Sequence, residues 1–426
     1  MSRLLVARLL IFASLDKRHN LTREKTAIVQ LNKNKIINDP VHGFIMLPYP
    51  ILFDLVEHPY FQRLRRIQQL GLTNYVYPGA QHTRFAHAIG AMHLMHRTLE
   101  ILKLKGTEIS DEEAKGALIA ILLHDIGHGP FSHTLENTIL PVHHEELSLI
   151  IMRHLNDLFD GQLDLAIRIF MGDYERAFFH QLVSSQLDMD RMDYLSRDSF
   201  FTGVNEGVIG SERLIHMLRV VEDEIVVEEK GIYSIEKYLT ARSIMYWQTY
   251  LHKTVLSAEK MLVSFFQRLK SVYETYENWI VTPAFDRILR AQSREEVKLE
   301  DYIALDDHDV MFMLKCSQDH PDEILSYLAR SIIDRRLFAC ELQNETFDKS
   351  RIQKLKVTLV DKFRLSIEDV SFLVLQGQES NITYTTEKAQ IKVLTKSQEV
   401  LPLSAILKTS VAPRMIKHYL CYPKYV

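Results

Sequence analysis

Residues 122–133 read LLHDIGHGPFSH: an apolar lead-in, an adjacent His124-Asp125 pair, and two more histidines, His128 and His133, set among glycine, proline and serine. Upstream, Ser110 and Glu113 form a Ser-x-x-Glu capping signature ahead of Ala117, Ile121 and Leu122. A helix is therefore expected to open at Ser110 and carry His124-Asp125 into the interior. A carboxylate delivered there is costly unless it is paired or bound to a cation. Imidazole and carboxylate together suit a divalent Fe, Mn, Zn, Ni or Mg ion, with positions left for water and a phosphate oxygen. Gly127, Gly129 and Pro130 then break the helix, so His128 and His133 are expected on a bend that a substrate can reach.

Partners for such an ion lie on either side. In HTRFAHAIG (82–90), His87 stands on another expected helix, three residues after Arg84. In LDMDRMDYLSRD (187–198), Asp190, Tyr194, Arg197 and Asp198 share a helical face, and one carboxylate from it would complete two His and two Asp around a metal. His144, followed by Glu145, is near enough in sequence to return to the same mouth. A histidine titrating near neutrality suits proton donation to a leaving phosphate oxygen. The run RLRRIQQL (63–70) reads instead as a solvated helix face.

The chain has 426 residues, 46% hydrophobic and 25% charged, which indicates a globular protein large enough for more than one core. Lys and Arg number 51 against 55 for Asp and Glu, a balance of −4. That is not the field of a general nucleic-acid binder, so a polyanion must meet a local positive site. Cys316, Cys340 and Cys421 lack metal or redox spacing and point to a reducing, cytoplasmic setting. The opening MSRLLVARLLIFASLDKR is interrupted by Arg8 and lacks a cleavage site, and no later run approaches the roughly 20 apolar residues of a membrane span.

Helical periodicity dominates 36–266, with residues 1–35 as an N-terminal extension. RVVEDEIVVEEKGIYSIEKY (219–238) reads as a hairpin inserted on the bundle, with helix resuming at Leu239. A helical extension follows over 267–340. In 341–426, KLKVTLVDKF (354–363), VSFLVLQG (370–377) and NITYTTEKAQIKVLTKSQEVLPL (381–403) are β-branched and alternating. Turn signals stand at Glu387-Lys388 and Lys396-Ser397-Gln398. The expected fold is mainly α, a helical bundle with a small C-terminal α+β appendage.

HTRFAH, LLHDIGHGPFSH and LDMDRMDYLSRD, in that order, resemble the HD-domain phosphohydrolases. INDPVHGFI (37–45), FQRLRRIQQLG (61–71) and YPGAQHTRFAH (77–87) narrow the likeness to the branch holding the SAM-and-HD-domain deoxynucleotide triphosphohydrolase and its bacterial relatives. It runs from about Ile36 to Lys253. The resemblance implies His87, His124, Asp125 and Asp190 as metal ligands. It implies His128 and His144 as phosphate-contacting or proton-transferring groups with His133 beside them, and Arg84, Arg191 and Lys253 as phosphate contacts. Tyr194 and Asp198 fall where the branch reads the sugar 3′-hydroxyl, and Gln69, Leu70 and Tyr250 where it packs around sugar and base. A tyrosine against C2′ would exclude a ribonucleotide by clash. Glu136 stands where a human member has an aspartate supporting the catalytic histidine, and Tyr246 where it has a histidine in the nucleotide pocket.

The reaction so implied is hydrolysis of a deoxynucleoside triphosphate at the α-phosphorus, giving deoxynucleoside and triphosphate, in a homo-oligomer of two to four chains. A nucleotide effector is a further partner to test. Two rivals remain: a phosphomonoesterase or phosphodiesterase on the same scaffold, and a regulator that binds nucleotide or nucleic acid without turnover.

Overall fold

The computed structural model describes residues 35–424 apart from 278, 292, 294–295, 382–389 and 408–414. The N-terminal extension and the Glu387-Lys388 turn signal lie outside the described residues. The described residues start with an antiparallel hairpin, β1 (Ile36–Asp39) and β2 (Gly43–Met46), then helix α1 (Pro50–Glu57). The bundle follows: α2 (Arg84–Leu104), α3 (Asp111–Leu123), α4 (His144–Leu158), α5 (Asp164–Met171), α6 (Ala177–Val183), α7 (Met189–Thr202) and α8 (Ser211–Met217).

Helix α3 carries the capping box that its sequence announces. The Ser110 side chain accepts from Glu113 N, and Glu113 reaches back to Ser110 N. From Ala117 to Leu123 every residue is fully buried, so α3 is the central rod of the bundle, clasped by α2, α5 and α6. A helix buried on all sides shows little amphipathic contrast, and its entry point is set by the cap.

A hairpin of β3 (Leu218–Val221) and β4 (Glu224–Glu228) interrupts the helices. Helix resumes at Ile232, in α9 (Ile232–Met245), seven residues before the expected Leu239, because Ile235 and Tyr238 already face the core. A π turn, Tyr246–Tyr250, separates α9 from α10 (Lys253–Val272). Around α10 a second core gathers α11 (Pro283–Arg290), α12 (Asp307–Cys316) and α13 (Glu323–Ile333).

The C-terminal appendage mixes helix and strand, with two corrections: of residues 370–377, read as strand, only Leu375–Gly377 lie in one, because Val370 closes a short helix (Ile367–Val370) and 371–374 form the turn that brings Leu373 into the core. Residues 354–363, read as a strand, lie in helix α14 (Lys349–Phe363), capped by Asp348. Ile352, Leu355, Leu359 and Phe363 recur at helical spacing and pack on Val370, Val374 and Leu420, and this stripe outweighs β-branched propensity. Strands β5 (Ala339–Gln343), β9 (Met415–Tyr422) and β6 (Leu375–Asn381) form one antiparallel sheet. Strands β7 (Lys392–Leu394) and β8 (Val400–Pro402) pair around the expected 396–398 turn, and β7 runs parallel to β4, so the tail is stitched to the bundle's inserted hairpin.

The RLRRIQQL run is also corrected. Arg65 and Arg66 are exposed, but Arg63 is 1% exposed, and its Nε donates to Leu305 O at 2.8 Å. No described helix is long and apolar enough to cross a membrane.

Candidate active site

The end of α3, the start of α2 and the start of α7 meet at one point. His124 is the C-cap of α3, and its Nδ1 is fixed 2.6 Å from Ile121 O, which leaves Nε2 facing inward. His87, in the first turn of α2, presents Nε2 to the same spot. His87 Nε2 lies 3.1 Å from Asp190 Oδ1 and 3.6 Å from Asp125 Oδ2. His124 Nε2 lies 3.5 Å from Asp190 Oδ1 and 3.4 Å from Asp125 Oδ1. Both Nε2 atoms are buried without a hydrogen-bond partner. Paired imidazole nitrogens facing two carboxylates match the donors a divalent cation takes, so the residues present fit a metal whose identity is open.

The electrostatics point the same way. Burial alone would depress His87, but Asp190 and Asp193 outweigh it and hold the ring up at about 10. His124 is raised against its burial by Asp125 and Asp190. Burial would raise Asp125, yet the charges of His124, His128 and Arg84 hold it well below the carboxylate range. Asp190 is likewise depressed by the His124 and His87 imidazoles that face it.

Behind the cluster runs a buried support. His87 Nδ1 meets Asp193 Oδ2 at 2.8 Å, His42 Nε2 meets Asp193 Oδ1 at 2.6 Å, and Arg197 Nε donates to Asp193 Oδ2 at 2.9 Å. Arg197 Nη1 also reaches Asp39 Oδ2 at 2.8 Å, so the β1–β2 hairpin is tied to the rear of His87. Gly90 lies against Asp193 and Arg197 with no room for a β-carbon. Arg197 therefore turns away from the face on which its spacing put it with Asp190, Tyr194 and Asp198.

A second histidine group lies on the bend. His128 and His144 stack with centroids 3.9 Å apart, and His133 meets them edge-on at 4.9 and 5.1 Å. Gly127 packs against the backbone of His144, Leu147 and Ser148 at the start of α4, where a β-carbon would clash. Glu136 Oε1 accepts from His144 N at 3.0 Å and faces His144 Nδ1 at 2.8 Å, while Oε2 faces His133 Nδ1 at 3.0 Å. These contacts outweigh burial and hold Glu136 far below the carboxylate range. His128 is driven well down by burial and then by Arg84, and its Nε2 is buried without a partner. Phe131 and Ser132 take left-handed backbone here, a strained turn held by Phe131 N on Asp307 Oδ1 at 2.7 Å.

A cavity of about 400 Å³ opens on both groups. Asp125, Asp190, Arg84, His128, His133 and His144 line one part, and Tyr194, Asp198, Tyr246 and Tyr250 another. Gln69, Leu70, Gly71, Thr73 and Glu259 also line it. Arg84 pairs with Asp125 and donates from Nε to Ser132 Oγ at 2.7 Å. Asp198 is held by His82 Nε2 and the Tyr250 hydroxyl, each at 2.7 Å. The cavity does not take up Arg191 or Lys253. Arg191 turns back to the α7 N-cap, Asp188, and Lys253 sits exposed at the start of α10.

Sequence reasoning passed over His42, His82 and Asp193, which hold functional side chains from behind, and Arg242, whose charge lies beside Tyr194 and whose Nη1 donates to Gln186 Oε1 at 3.0 Å. It also passed over Glu259. His42, His82 and Asp193 stood inside the quoted INDPVHGFI, YPGAQHTRFAH and LDMDRMDYLSRD motifs, so a signal existed for those three.

Residues 84–198 match the HD domain and residues 209–370 the HD-associated region. The chain is 32% identical to the uncharacterised protein YwfO of Bacillus subtilis, over 93% of each chain. It is 35% identical to the deoxynucleoside triphosphate triphosphohydrolase SAMHD1 homolog of Dictyostelium discoideum, over 55% of this chain and about half (49%) of that protein. The crystal structure of a phosphohydrolase from Bacteroides thetaiotaomicron superposes with a TM-score of 0.87 at 44% identity, over 91% of this chain and 99% of that one. With the HD motif folded as described and the Bacillus and Bacteroides relatives spanning nearly its whole length, the chain belongs to the HD-domain phosphohydrolases.

Proposed function

We propose that the protein is a metal-dependent deoxynucleoside triphosphate triphosphohydrolase, releasing triphosphate from the 5′-oxygen of the deoxynucleoside. The observation that carries this reading is the pair of unpartnered imidazole nitrogens, His87 Nε2 and His124 Nε2, facing Asp125 and Asp190 at the floor of a cavity that also holds Arg84 and aromatic walls. In it, His87, His124, Asp125 and Asp190 hold a divalent cation. Such an ion supplies Lewis-acid polarisation of a phosphoryl oxygen and of the attacking water.

The chain's own groups do the rest. Arg84, locked between Asp125 and Ser132, offers positive charge where phosphoryl oxygens gain negative charge. His144, held through Nδ1 by Glu136, keeps Nε2 on the opposite edge of its ring, as suits a proton donor to the leaving oxygen, and His133 shares the same carboxylate. Neutral, buried His128 contacts phosphate beside it. Tyr194 and Asp198 address the sugar hydroxyl, and Tyr250, Leu70 and Gln69 pack around sugar and base. Arg191 and Lys253 reach phosphate in this reading only by rotating into the cavity. The SAMHD1 homolog's printed activity supports the substrate class.

The test is a panel of dNTPs, NTPs, dNMPs and phosphodiesters on protein of measured metal content, with products identified. Deoxynucleoside plus triphosphate from dNTPs upholds the reading. Inorganic phosphate from a dNMP with dNTPs untouched replaces it with a phosphomonoesterase, and cleavage of diesters alone replaces it with a phosphodiesterase. No turnover of any substrate replaces it with a binding protein.

A further inference from the structure

Glu259 is a carboxylate with no role in the chemistry just described. It sits on α10 one residue past Ala258, in the seam where α10 packs on Leu72 and Phe131, and its side chain reaches the cavity wall. Its Oε1 stands 3.8 Å from where a β-carbon on Gly71 would be, next to Leu70 and Gln69, the strip assigned to sugar and base. Its sequence neighbour Lys260 is turned to Glu379 at 2.7 Å, and the Thr134 hydroxyl is the hydrogen-bond partner recorded for Glu259. Gln69, which lines the same cavity, has its Oε1 buried without a partner. The unpartnered Gln69 Oε1 and the Glu259 carboxylate, which is hydrogen-bonded to Thr134, thus both line the cavity with acceptor capacity that a ligand's N–H groups could use.

Resting on the dNTP reading above, we propose that Glu259, with Gln69 beside it, reads the N–H edge of a guanine base and makes the enzyme selective for guanine deoxynucleotides. A carboxylate and a triphosphate repel, so in this proposal Glu259 addresses the base and not the phosphates. Among the bases, guanine alone offers adjacent donors, N1–H and the 2-amino group, that match the two oxygens of one carboxylate. Adenine and cytosine place a ring acceptor beside their amino group, where it would face the carboxylate lone pairs. Thymine has one N–H flanked by carbonyl oxygens, which the carboxylate repels. Burial pushes the Glu259 carboxyl up to about 7, against the pull of Lys260 and Thr134, and a pair of ligand N–H donors favours its ionised form.

The experiment compares kcat/KM for dGTP, dATP, dCTP and dTTP in wild type and Glu259→Gln, with metal content measured in both. Wild type is expected to favour dGTP by about tenfold or more. Glu259→Gln is expected to lose about 10–100-fold on dGTP and far less on the other three, at equal metal content. Absence of a dGTP preference in wild type, or an equal loss on all four nucleotides, overturns the assignment. A calorimetric arm separates this proposal from the reading it rests on, because deoxyguanosine, deoxyinosine and deoxyadenosine carry no scissile phosphate. Tightest binding of deoxyguanosine, weakened in Glu259→Gln, upholds base reading even if no dNTP is hydrolysed. Equal binding of the three nucleosides overturns it even if hydrolysis is robust.

Discussion

Two clusters of histidine and carboxylate face one cavity, and they differ in how their charges are answered. In the inner cluster, His87 and His124 turn unpartnered nitrogens toward Asp125 and Asp190, and the His87 ring is braced from behind by Asp193. In the outer cluster, Glu136 already spends both oxygens on His133 and His144, and the rings stack on one another instead of converging on carboxylates. Both clusters bring ligand atoms close enough to hold a metal, and in the proposed reading the cation goes to the inner one, where two carboxylates face the open nitrogens. A cluster whose carboxylate fixes the ring tautomers positions protons. In the proposed reading the same residue types do different work according to what stands behind them.

The strongest way to break this distinction is at the inner cluster. Asp125→Ala removes a carboxylate that faces His87, His124 and Arg84 together, and is expected to abolish both bound metal and hydrolysis, as read by elemental analysis and a product assay. At the outer cluster, His144→Ala is expected to retain metal while turnover falls by about 10²–10⁴, the range for loss of a general acid. If His144→Ala empties the metal site, the two clusters are one unit and the distinction fails.

A smaller effect is expected behind the inner cluster. Asp193→Asn keeps the shape but weakens the hold on His87, His42 and Arg197, and metal affinity is expected to drop by about 10–100-fold, measured by competition with a chelator.

The smallest effect concerns the helix that aims His124-Asp125. Burial would raise Glu113, but Arg176, Ser110 and Tyr174 outweigh it and hold the carboxyl down at about 2. A depressed carboxylate stabilises the fold above its unfolded value near 4.5 and loses that contribution as pH falls toward 2. Glu113→Gln is expected to cost about 0.5–1 kcal/mol at neutral pH, because the site is partly open to solvent, and the gap to wild type is expected to close in acid, as measured by urea unfolding across pH.

Much of the inner cluster was legible because its signals are local. Ser110 and Glu113 set the start of α3, the apolar run sets its depth, and the spacing of Asp190, Tyr194 and Asp198 sets one face of α7. What was not legible depends on distant partners. Arg63 is buried by a carbonyl 242 residues away, and Arg197 is drawn off its expected face by Asp39 across 158 residues. Helix α14 was read as strand because its β-branched residues alternate, although Ile352, Leu355, Leu359 and Phe363 already carried the helical stripe. Glu259 gave no sequence signal, since a Glu beside a Lys on an amphipathic helix reads as solvated surface until Gly71 and Thr134 are folded against it.

The most direct test of the account is anomalous diffraction from crystals of the protein loaded with manganese. The account expects one strong peak within about 2.0–2.2 Å of His87 Nε2, His124 Nε2 and oxygens of Asp125 and Asp190. A peak among His128, His133 and His144 instead, or none at the inner cluster at saturating metal, would contradict it.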